Sequence, residues 1–267
     1  MSPSFTEKVA IVTGSSKGIG RTIALELLSK GCRVVINGRD PERLESTLHD
    51  FRNLGFEPLA IAGDVNDPAF CSEMMEKTAE QWGGIDILVN NAGLPMRGNF
   101  EDLKPEFFRR VVEINLMTAV YCTMAALPYL KKSRGSVVFI SSISGGVRGI
   151  PHSAPYSVGK MGLTALAQTL RTELSQDGIH FGLIRVGFVK LYEGKRVLNH
   201  DGSYIEVKRN GHQTEQDVAR AVVRIIRSRH FMITQTLIGK AMALLQWLMP
   251  GFVTWYLIRT RNSSMYK

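Results

Sequence analysis

Cysteine is scarce in this sequence, and so are the features that would divide the chain or mark it for export. The 267 residues include three cysteines, far apart and odd in number: Cys32, Cys71 and Cys122. We therefore expect unpaired, buried thiols in a reduced compartment. Residues 1–7 lack the basic start and apolar run of a signal peptide, which favours a cytoplasmic location. Because no linker, low-complexity tract or internal repeat is present, this length predicts one large domain.

Acidic residues are rare in the last third of the chain. The formal net charge is +9, and residues 185–267 carry all of it, with 14 Lys and Arg against 5 Asp and Glu. A basic end indicates an anionic partner, such as membrane lipid, nucleic acid or an acidic carrier protein. Nucleic acid is the least favoured, because these cations are mixed with apolar residues and are not arrayed with stacking aromatic side chains. We predict no metal site.

A glycine-rich turn follows the first apolar run. Lys8–Val12 is apolar and β-branched, as expected of a strand buried on both faces, and Thr13–Gly20 leads from it into a helical apolar pattern. Glycines in such a turn let the backbone approach a pyrophosphate, and the helix N-terminus stabilises its charge. An ordinary glycine-rich turn is the alternative. The flanking strand and helix favour a dinucleotide site with contacts from Gly14, Ser16, Lys17, Gly18, Ile19 and Gly20.

The second predicted strand, Cys32–Ile36, ends without the acidic residue that an NAD site requires. Such a site places a carboxylate about 20 residues past the glycine turn, where it binds the ribose 2′-hydroxyl. Gly38 and Arg39 stand there instead, and Lys17 lies within the turn. Two cations without a carboxylate suit a 2′-phosphate, so the sequence favours NADP(H) over NAD(H). We expect Asp40 to point away or to cap the next helix.

Polar and small residues end the third and fourth predicted strands. Asp64 follows Leu59–Ala62, and Asn90–Gly93 follows Ile85–Val89. The carboxyl ends of parallel strands are where open α/β sheets bind ligands. The Asp64 carboxylate suits an adenine amino group or a helix cap equally well, and both interpretations stay open. The predicted cofactor contacts here are Asp64, Val65, Asn91, Ala92 and Gly93.

Tyr156 and Lys160 lie four residues apart on a predicted helix, so they share one of its faces. An ammonium near a phenol favours the phenolate, which suits this hydroxyl to acid or base chemistry. Tyr204 and Lys208 have the same spacing but follow a predicted turn and lack partners. Ser142 lies 14 residues before Tyr156, where the fifth strand delivers it to the carboxyl edge of the sheet.

Strands alternate with helices along the chain, which predicts an α/β fold with a doubly wound parallel sheet. The long helices are predicted at about 105–130 and 156–176. Asn115 lies in the middle of the first, where Asn is a poor helix former, so it is either a structural hydrogen-bonder or holds a water near the active site. The six predicted strands are Lys8–Val12, Cys32–Ile36, Leu59–Ala62, Ile85–Val89, Gly135–Ile140 and His180–Ile184.

Taken in order, these motifs resemble the short-chain dehydrogenase/reductase family over about residues 7–190. The resemblance implies a Rossmann-like fold and hydride transfer to a carbonyl carbon, with a proton added to its oxygen. Lys17 and Arg39 match the NADP(H)-preferring branch, and the two long helices are expected to pair in a homodimer or homotetramer. The motifs are Thr13-Gly14-x-x-x-Gly18-Ile19-Gly20, Asp64, Asn90-Asn91-Ala92-Gly93, Asn115, Ser142 and Tyr156-x-x-x-Lys160.

The resemblance also implies a role for each catalytic residue. Tyr156 is expected to exchange a proton with the substrate oxygen, and Lys160 to lower the Tyr156 pKa and to bond the nicotinamide ribose. Ser142 is expected to polarise the carbonyl, since it has the family's spacing to Gly145 and to Tyr156. Asn115 is expected to hold a water in the proton relay.

The run after the sixth strand departs from the family's pattern. The family has Asn-Pro-Gly followed by a Thr four residues past the Gly, whereas this chain has Arg185-Val186-Gly187 and then Leu191. With the Pro and the Thr missing, we expect the backbone of Val189 to contact the nicotinamide. The catalytic set is intact, which predicts an active enzyme.

The C-terminal end contains an uncharged stretch, Ala241–Ile258, with Pro250-Gly251 in its middle. As one helix it would span about 27 Å, slightly less than a hydrocarbon core of about 30 Å. Proline breaks or kinks a helix, so we predict two short helices. Attachment along a membrane surface is favoured; an internal cap over an apolar pocket and a transmembrane helix are the alternatives. The predicted organisation is a catalytic domain, 1–230, with a lid at about 190–213, and an extension, 231–267.

The tail and lid also resemble, more loosely, the membrane-associated reductases of lipids and steroids in this family. We predict an NADPH-dependent oxidoreductase of a lipophilic substrate in lipid metabolism, peripheral to a membrane on its cytoplasmic side. A 3-oxoacyl carrier-protein reductase is the alternative among enzymes, because an acidic carrier suits the basic end. A membrane-bound scaffold that binds NADPH without turnover is the alternative from another class.

Overall fold

The computed structural model describes residues 4–143, 147–190, 196–207, 211 and 213–261. Its strands are β1 Val9–Val12, β2 Arg33–Gly38, β3 Leu59–Ala62, β4 Ile87–Asn90, β5 Met96–Arg97, β6 Ser136–Ser142, β7 His180–Val186, β8 Arg196–Asn199, β9 Tyr204–Glu206 and β10 Met232–Thr234. Its helices are α1 Gly18–Ser29, α2 Pro41–Asn53, α3 Pro68–Trp82, α4 Pro105–Val112, α5 Thr118–Ser133, α6 Ala154–Glu173, α7 Glu215–Ser228, α8 Leu237–Leu248 and α9 Pro250–Thr260. A π-helical turn, Glu113–Met117, joins α4 to α5, and a 3-10 turn, Ser175–Asp177, follows α6.

Seven strands form one parallel sheet in the order β10-β7-β6-β4-β1-β2-β3. The order reverses between β1 and β4, and ligands bind at such a switch point, outside the carboxyl ends of the strands. The predicted α/β fold with a doubly wound sheet is confirmed, and each of the six predicted strands is present.

Two apolar layers cover the two faces of the sheet, because successive side chains of a strand point to opposite sides. On β1, Ala10 and Val12 pack into one layer and Ile11 into the other, and all three are fully buried. Helices α1, α2 and α7 supply the first layer, and α3, α5 and α6 supply the second. The sheet is therefore buried on both faces, as its continuous apolar strands predict.

The seventh strand, β10, was not predicted from the sequence. It pairs in parallel with β7, with Met232 opposite Leu183 and Thr234 opposite Arg185. Three half-buried residues at a sheet edge are too short to show a strand period. The strand lies beyond the domain boundary that the sequence analysis placed at residue 230, so the central sheet extends to Thr234.

The predicted lid region contains a small second sheet, in the order β5-β8-β9. Strands β8 and β9 are antiparallel, and the turn between them closes through Asn199, whose N–H donates to the carbonyl of Ser203 at 2.9 Å. Tyr204 lies on β9, so its spacing to Lys208 does not bring the two onto one helix face. Lys208 and parts of the predicted lid (191–195, 208–210 and 212) lie outside the described residues.

The C-terminal helices are organised as predicted. Thr214 caps α7 and forms a reciprocal capping box with Asp217, and the helix buries Val218, Val222, Ile225 and Ile226. The uncharged stretch forms two helices, α8 and α9, which separate at Pro250. Residues 262–267 of the predicted extension lie outside the described part of the chain.

Among the described residues, the long helix 105–133 is apolar and long enough to cross a membrane. Its inner face, however, contributes Ala119, Cys122 and Ala126 to the second apolar layer of the domain, where each is almost completely buried. This helix belongs to the protein core.

Candidate active site

The glycine turn between β1 and α1 has a geometry that only glycine allows. Gly14 and Gly18 have φ angles of +61° and +58°, which L side chains rarely adopt. A Cβ atom on Gly20 would lie 2.3 Å from the carbonyl oxygen of Gly14, and one on Gly14 would lie 3.0 Å from the backbone of Ala92. Helix α1 begins in this turn with no acidic residue in its first turn, so its N-terminus faces the cavity with an uncompensated positive dipole.

Asn91 and Thr13 hold this turn against the end of β4. The Asn91 side-chain amide donates to the carbonyl oxygens of Thr13 and Gly14 at 2.9 and 3.0 Å. The Thr13 hydroxyl oxygen accepts from the backbone N–H groups of Asn91 and Ala92, both at 3.0 Å. Two adjacent strand ends are therefore locked together at the switch point, and the small residues after β4 leave their backbone facing the cavity.

A cluster of cations lies at one end of the cavity, where β2 ends. Lys17, Arg39 and Arg43 all line it. Burial lowers the pKa of Lys17 below its usual value, and the positive charge of Arg43 lowers it further. Asp40 is the N-cap of α2 and accepts from the Arg43 backbone N–H at 3.1 Å, as predicted for a helix cap. Sequence reasoning missed Arg43; its signal was a third cation in the first turn of the helix after Arg39.

Asp64 and Val65 line the same end of the cavity. Asp67, not Asp64, caps α3, where it accepts from the N–H of Ala69 at 2.9 Å. The Asp64 carboxylate accepts from the N–H of Asn66 and lies 3.6 Å from the guanidinium of Arg39. Its helix-cap interpretation is thereby excluded.

The predicted catalytic residues are brought together by β6 and α6. Ser142 is the last residue of β6, Tyr156 and Lys160 lie on the first turns of α6, and all three line the cavity. The Lys160 ammonium is buried, lies 5.8 Å from the centroid of the Tyr156 ring and donates to the carbonyl oxygen of Ile140 at 2.9 Å. Burial lowers the pKa of Lys160 to about 8.

The hydrogen bond of Ser141 distinguishes this residue from Ser142. Its hydroxyl donates to the backbone carbonyl of Lys160 at 3.2 Å, and its side chain is buried. Ser141 also lines the cavity, but its hydroxyl is committed to this backbone carbonyl, whereas Ser142 has the 14-residue spacing to Tyr156. Gly145, whose spacing to Ser142 supported the prediction, lies outside the described residues.

Asn115 lies in the π-helical turn between α4 and α5 and is almost completely buried. Its amide donates to the carbonyl oxygens of Leu94 and Val111, each at 2.8 Å, and its oxygen accepts from the N–H of Leu94 at 3.3 Å. A Cβ atom on Gly93 would lie 3.0 Å from that oxygen and 3.4 Å from the Lys160 nitrogen. Asn115 therefore fixes the loop after β4 beside Lys160, and its water-holding role stays a prediction.

The loop after β7 is held by Gln213, which sequence reasoning missed. The Gln213 side-chain oxygen accepts from the N–H of Gly187 at 2.9 Å, and its backbone carbonyl accepts from the N–H of Lys190 at 2.8 Å. Val189 pairs with Gln213 in an isolated bridge and lines the cavity. A distant side chain thus orders the segment that lacks the family's Pro. Leu191, at the missing Thr, lies outside the described residues.

The structure brings every predicted site residue to one cavity of about 470 Å³. It runs from the cations at the end of β2, past the glycine turn, to the catalytic face. At its far end the lining combines the cations Arg97 and Lys190 with the apolar residues Met96, Ile150, Pro151, Phe188 and Val197. An elongated anionic dinucleotide such as NADP(H) fits this arrangement, because the glycine cradle, the α1 N-terminus and the cation cluster are each suited to phosphate groups.

Comparisons with known proteins agree with this geometry. The model of the family described as short chain dehydrogenase matches residues 8–201. A protein named as a ketoacyl reductase of the granaticin polyketide synthase, from Streptomyces violaceoruber, is 36% identical over 195 residues, which are 72% of this chain and 71% of that protein. The 11-beta-hydroxysteroid dehydrogenase 1A of Arabidopsis thaliana is 28% identical over 259 residues, 93% of this chain and 74% of that protein. The structure of an alcohol dehydrogenase from Thermococcus sibiricus, complexed with 5-hydroxy-NADP, is similar with a TM-score of 0.74 and 28% identity, covering 86% of this chain and 96% of that one.

Proposed function

Because the chain belongs to the short chain dehydrogenase family, we propose that it is an NADP(H)-dependent oxidoreductase that moves a hydride between the nicotinamide and a carbonyl or hydroxyl group of a lipophilic substrate. The observation that carries the proposal is the position of Ser142, Tyr156 and Lys160 on one cavity with the glycine turn. No other group of described side chains combines a phenol, an amine and a hydroxyl beside such a cradle.

In the reducing direction, the bound cofactor supplies the hydride that reaches the carbonyl carbon. The Ser142 hydroxyl donates a hydrogen bond to the carbonyl oxygen and orients it. The Tyr156 hydroxyl gives its proton to that oxygen as negative charge develops there. The buried Lys160 ammonium stabilises the phenolate that remains, and its bond to Ile140 keeps it at this distance from the ring. The alcohol oxidation runs through the same groups in reverse.

The cation cluster of Lys17, Arg39 and Arg43 supports NADP(H) as the cofactor. A 2′-phosphate brings additional negative charge, which guanidinium groups bind in a planar, bidentate manner. The similar structure from Thermococcus sibiricus holds an NADP derivative, which supports the same assignment for this chain.

The apolar side chains at the far end of the cavity support a lipophilic substrate. Met96 is buried there, and Pro151 and Val197 line the same end. Relatives named as a hydroxysteroid dehydrogenase and a ketoacyl reductase support a ketone or secondary alcohol as the reacting group. The relative named as a ketoacyl reductase supports a second candidate, a 3-oxoacyl group attached to a carrier protein. Such a carrier protein is acidic, and this chain has a basic end.

The test is a panel of cyclic, steroid-like and 3-oxoacyl ketones with NADPH in mild detergent, read as loss of NADPH absorbance. Tyr156→Phe should lower turnover by at least about 100-fold, the contribution of a positioned general acid, while NADPH still binds. Tyr204→Phe is the matched control: it is half-exposed on β9 and should leave turnover unchanged. Turnover that survives in Tyr156→Phe contradicts the proposed mechanism. A parent protein that binds NADPH and turns over no ketone supports the scaffold alternative.

We also propose that α5 and α6 pair two copies of the chain. Met124, Val158 and Met161 are large apolar side chains on these two helices, and each is about half-exposed or more. Covering them would remove an apolar face from water. Analytical ultracentrifugation should show a dimer or tetramer, and Val158→Glu with Met161→Glu should shift it to monomer. A parent protein that sediments as a monomer contradicts the pairing.

A cytoplasmic location is part of the same proposal. Cys32, Cys71 and Cys122 are free and buried, and the sulfur atoms of Cys71 and Cys122 lie 3.5 Å apart without a covalent bond. Burial raises the pKa of Cys32 to about 12, which keeps its thiol protonated and unreactive. Such thiols suit a reducing compartment.

A further inference from the structure

We propose that the hairpin formed by α8 and α9 (237–260) is a docking surface for an anionic lipid bilayer. Its large apolar side chains face outward: Leu237 is 83% exposed and Trp247 is 79% exposed. Only Gly239, Val253 and Leu257 of the hairpin are buried. Other large apolar side chains exposed on it are Ile238, Leu244, Leu248, Met249, Phe252, Trp255, Tyr256 and Ile258. Single exposed apolar residues are normal, whereas a cluster of this size on one element marks an interaction surface.

The outward direction of these side chains distinguishes two interpretations of the tail, an internal cap and an external docking surface. An internal cap would bury its apolar side chains over the substrate end of the cavity. The described residues of the hairpin instead leave them in solvent, and none of them lines the cavity. The apolar surface therefore requires an external partner.

The chemistry of the hairpin suits the bilayer interface. Phe252 and Trp255 stack with ring centroids 5.7 Å apart, and the Arg259 guanidinium lies 4.4 Å from the Trp255 ring. Aromatic rings beside cations are typical of segments at headgroup depth. Helices of 12 and 11 residues reach only about 18 Å, well short of a hydrocarbon core of about 30 Å. The hairpin is therefore suited to lying along the surface and not to crossing it.

A basic groove next to the hairpin makes anionic lipid the expected partner. Arg220 and Arg224 of α7 and Lys240 of α8 line this groove together with Leu237. Cations and exposed apolar side chains thus form one continuous surface. Asp217 also lines the groove, so three cations face one carboxylate there, and no acidic residue follows Asp217 in the chain. The excess of cations favours negative headgroups. An acidic protein would match the charges but gives no account of the exposed aromatic side chains.

The experiment is co-sedimentation with phosphatidylcholine vesicles, with and without phosphatidylserine. The parent should bind the anionic vesicles most tightly. Trp247→Glu with Leu248→Glu should weaken binding at least about tenfold, because charge replaces the inserting side chains. Arg220→Gln with Arg224→Gln should weaken binding to the anionic vesicles by about fivefold per cation and leave neutral vesicles unaffected.

Matched controls carry the same changes elsewhere. Leu54→Glu replaces a 58% exposed apolar residue that follows α2, near the sheet edge opposite β10, and Arg227→Gln removes a cation of α7 that does not line the groove. Both should bind as the parent does, and circular dichroism should show every variant folded. Absence of parent binding to either vesicle, or equal binding by Trp247→Glu with Leu248→Glu, overturns the proposal. Equal parent binding to neutral and anionic vesicles overturns the assignment of anionic lipid.

A separate observation, a cluster of hydrogen bonds, points to Arg148 as a positioning residue, and this inference rests on the proposed function. Its guanidinium donates to the Gln246 side-chain oxygen at 2.7 Å, to the Pro250 carbonyl at 3.2 Å and to the Thr254 hydroxyl at 2.6 Å. All three acceptors surround the bend of the hairpin. Arg148 itself lies on the segment between Ser142 and Tyr156, which we call the catalytic loop. One side chain therefore ties the catalytic loop to the hairpin.

His152 makes a second tie from the same segment. One ring nitrogen lies 3.0 Å from the carbonyl oxygen of Arg261, and the other lies 2.6 Å from the Asn99 side-chain oxygen. Its φ angle of +59° is unusual for a residue with a side chain, so surrounding contacts hold it there. Ile150 and Pro151, between the two ties, line the substrate end of the cavity. The hairpin thereby shapes the wall against which the substrate packs.

Arg148→Met should lower kcat for a lipophilic ketone by about tenfold or more, because a misplaced catalytic group loses rate without losing cofactor affinity. The Kd for NADPH should stay unchanged, which a general loss of structure would not allow. Arg148→Lys should recover part of kcat, since the ammonium still donates, but from one nitrogen where the guanidinium donates from two. Arg259→Met is the control, a hairpin cation that contacts Trp255 and not the catalytic loop.

An Arg148→Met enzyme with parental kcat overturns this inference. If the parent turns over no ketone, the proposed function fails, and the tie is then read by limited proteolysis. Cleavage between Ser142 and Tyr156 should be faster in Arg148→Met than in the parent, and equal rates overturn the tie itself.

Discussion

The Lys160 ammonium donates to the carbonyl oxygen of Ile140 at 2.9 Å, which joins the helix of Tyr156 to the strand of Ser142. Ile140 lies two residues before Ser142 on β6, and Lys160 lies one helical turn after Tyr156. One hydrogen bond therefore sets the spacing between two elements that are distant in sequence. It also holds the Lys160 ammonium in a position that is almost completely shielded from water.

The pH dependence of stability should report on this buried amine. The pKa of Lys160 is about 8 in the folded protein, against 10.5 for a free lysine. Between these values the unfolded chain binds a proton that the folded chain does not, so the contribution of Lys160 to the free energy of unfolding should rise with pH by an amount on the order of 3 kcal/mol. The raised pKa of Cys32 acts in the opposite direction above pH 9 and is common to the parent and the variant, so the contribution of Lys160 is the difference between the two. In Lys160→Met this rise should disappear, as measured by urea unfolding at pH 7, 8, 9 and 10. A variant that keeps the parental rise would show that another group is responsible.

Lys160→Met should also affect the chemistry. In the proposed mechanism, the phenolate of Tyr156 would lose its neighbouring positive charge and the nicotinamide ribose would lose a hydrogen-bond donor. We expect kcat to fall by at least about 100-fold and the Kd for NADPH to increase. Single-turnover kinetics and fluorescence titration separate the two effects. Lys131→Met, at an exposed salt bridge with Asp177, should change neither.

Cofactor preference should depend on Arg39. NADPH should bind more tightly than NADH, and Arg39→Asp should reverse the order, because the new carboxylate repels the 2′-phosphate and accepts from a 2′-hydroxyl. The measurement is the ratio of the two Kd values. Arg52→Asp, at the far end of α2, makes the same charge change and should leave the ratio unaltered. Equal affinity of the parent for both cofactors would contradict the assignment of the cation cluster.

Asn115→Leu should destabilise the protein. It removes the partners of the Leu94 N–H and of the Leu94 and Val111 carbonyls, and each buried group left without a partner costs roughly 1–3 kcal/mol. Urea unfolding should show a loss of several kcal/mol, together with reduced turnover. Asn53→Leu, an exposed change at the end of α2, should have an effect within about 0.5 kcal/mol. Full stability of Asn115→Leu would mean that the π-helical turn does not depend on this side chain.

Gln213→Met should weaken NADPH binding without preventing folding. The variant keeps the volume of the side chain but cannot accept from the Gly187 N–H, so the segment carrying Val189 loses its side-chain link to Gln213 and keeps only the backbone ones. We expect the Kd for NADPH to increase by about tenfold, the effect of one lost hydrogen bond to a buried group. Gln216→Met, which loses only a bond to Glu26 on α1, is the control. An unchanged Kd in Gln213→Met would show that the loop is ordered by other contacts.

The sequence by itself determined the fold class, the cofactor end of the site and the candidate catalytic residues. Buried parallel strands require continuous apolar runs, and the turn after β1 requires glycine at Gly14 and Gly18. Both features can therefore be recognised from short stretches of sequence. The Asp40 cap, the Thr214 capping box and the helix break at Pro250 were predictable for the same reason, because each depends on neighbours a few residues away.

Tertiary structure decided what depends on residues distant along the chain. The short edge strand β10 exists because β7 offers it a partner, and Gln213 holds the loop after β7 because α7 begins close to Gly187. The position of Asn115 follows from its hydrogen bonds to Leu94, and the hairpin is held at Gln246 by Arg148, which lies 98 residues earlier in the chain. Apolar composition alone is compatible with a buried cap or an exposed surface. Only the packing of the folded chain determines which side chains remain in contact with water.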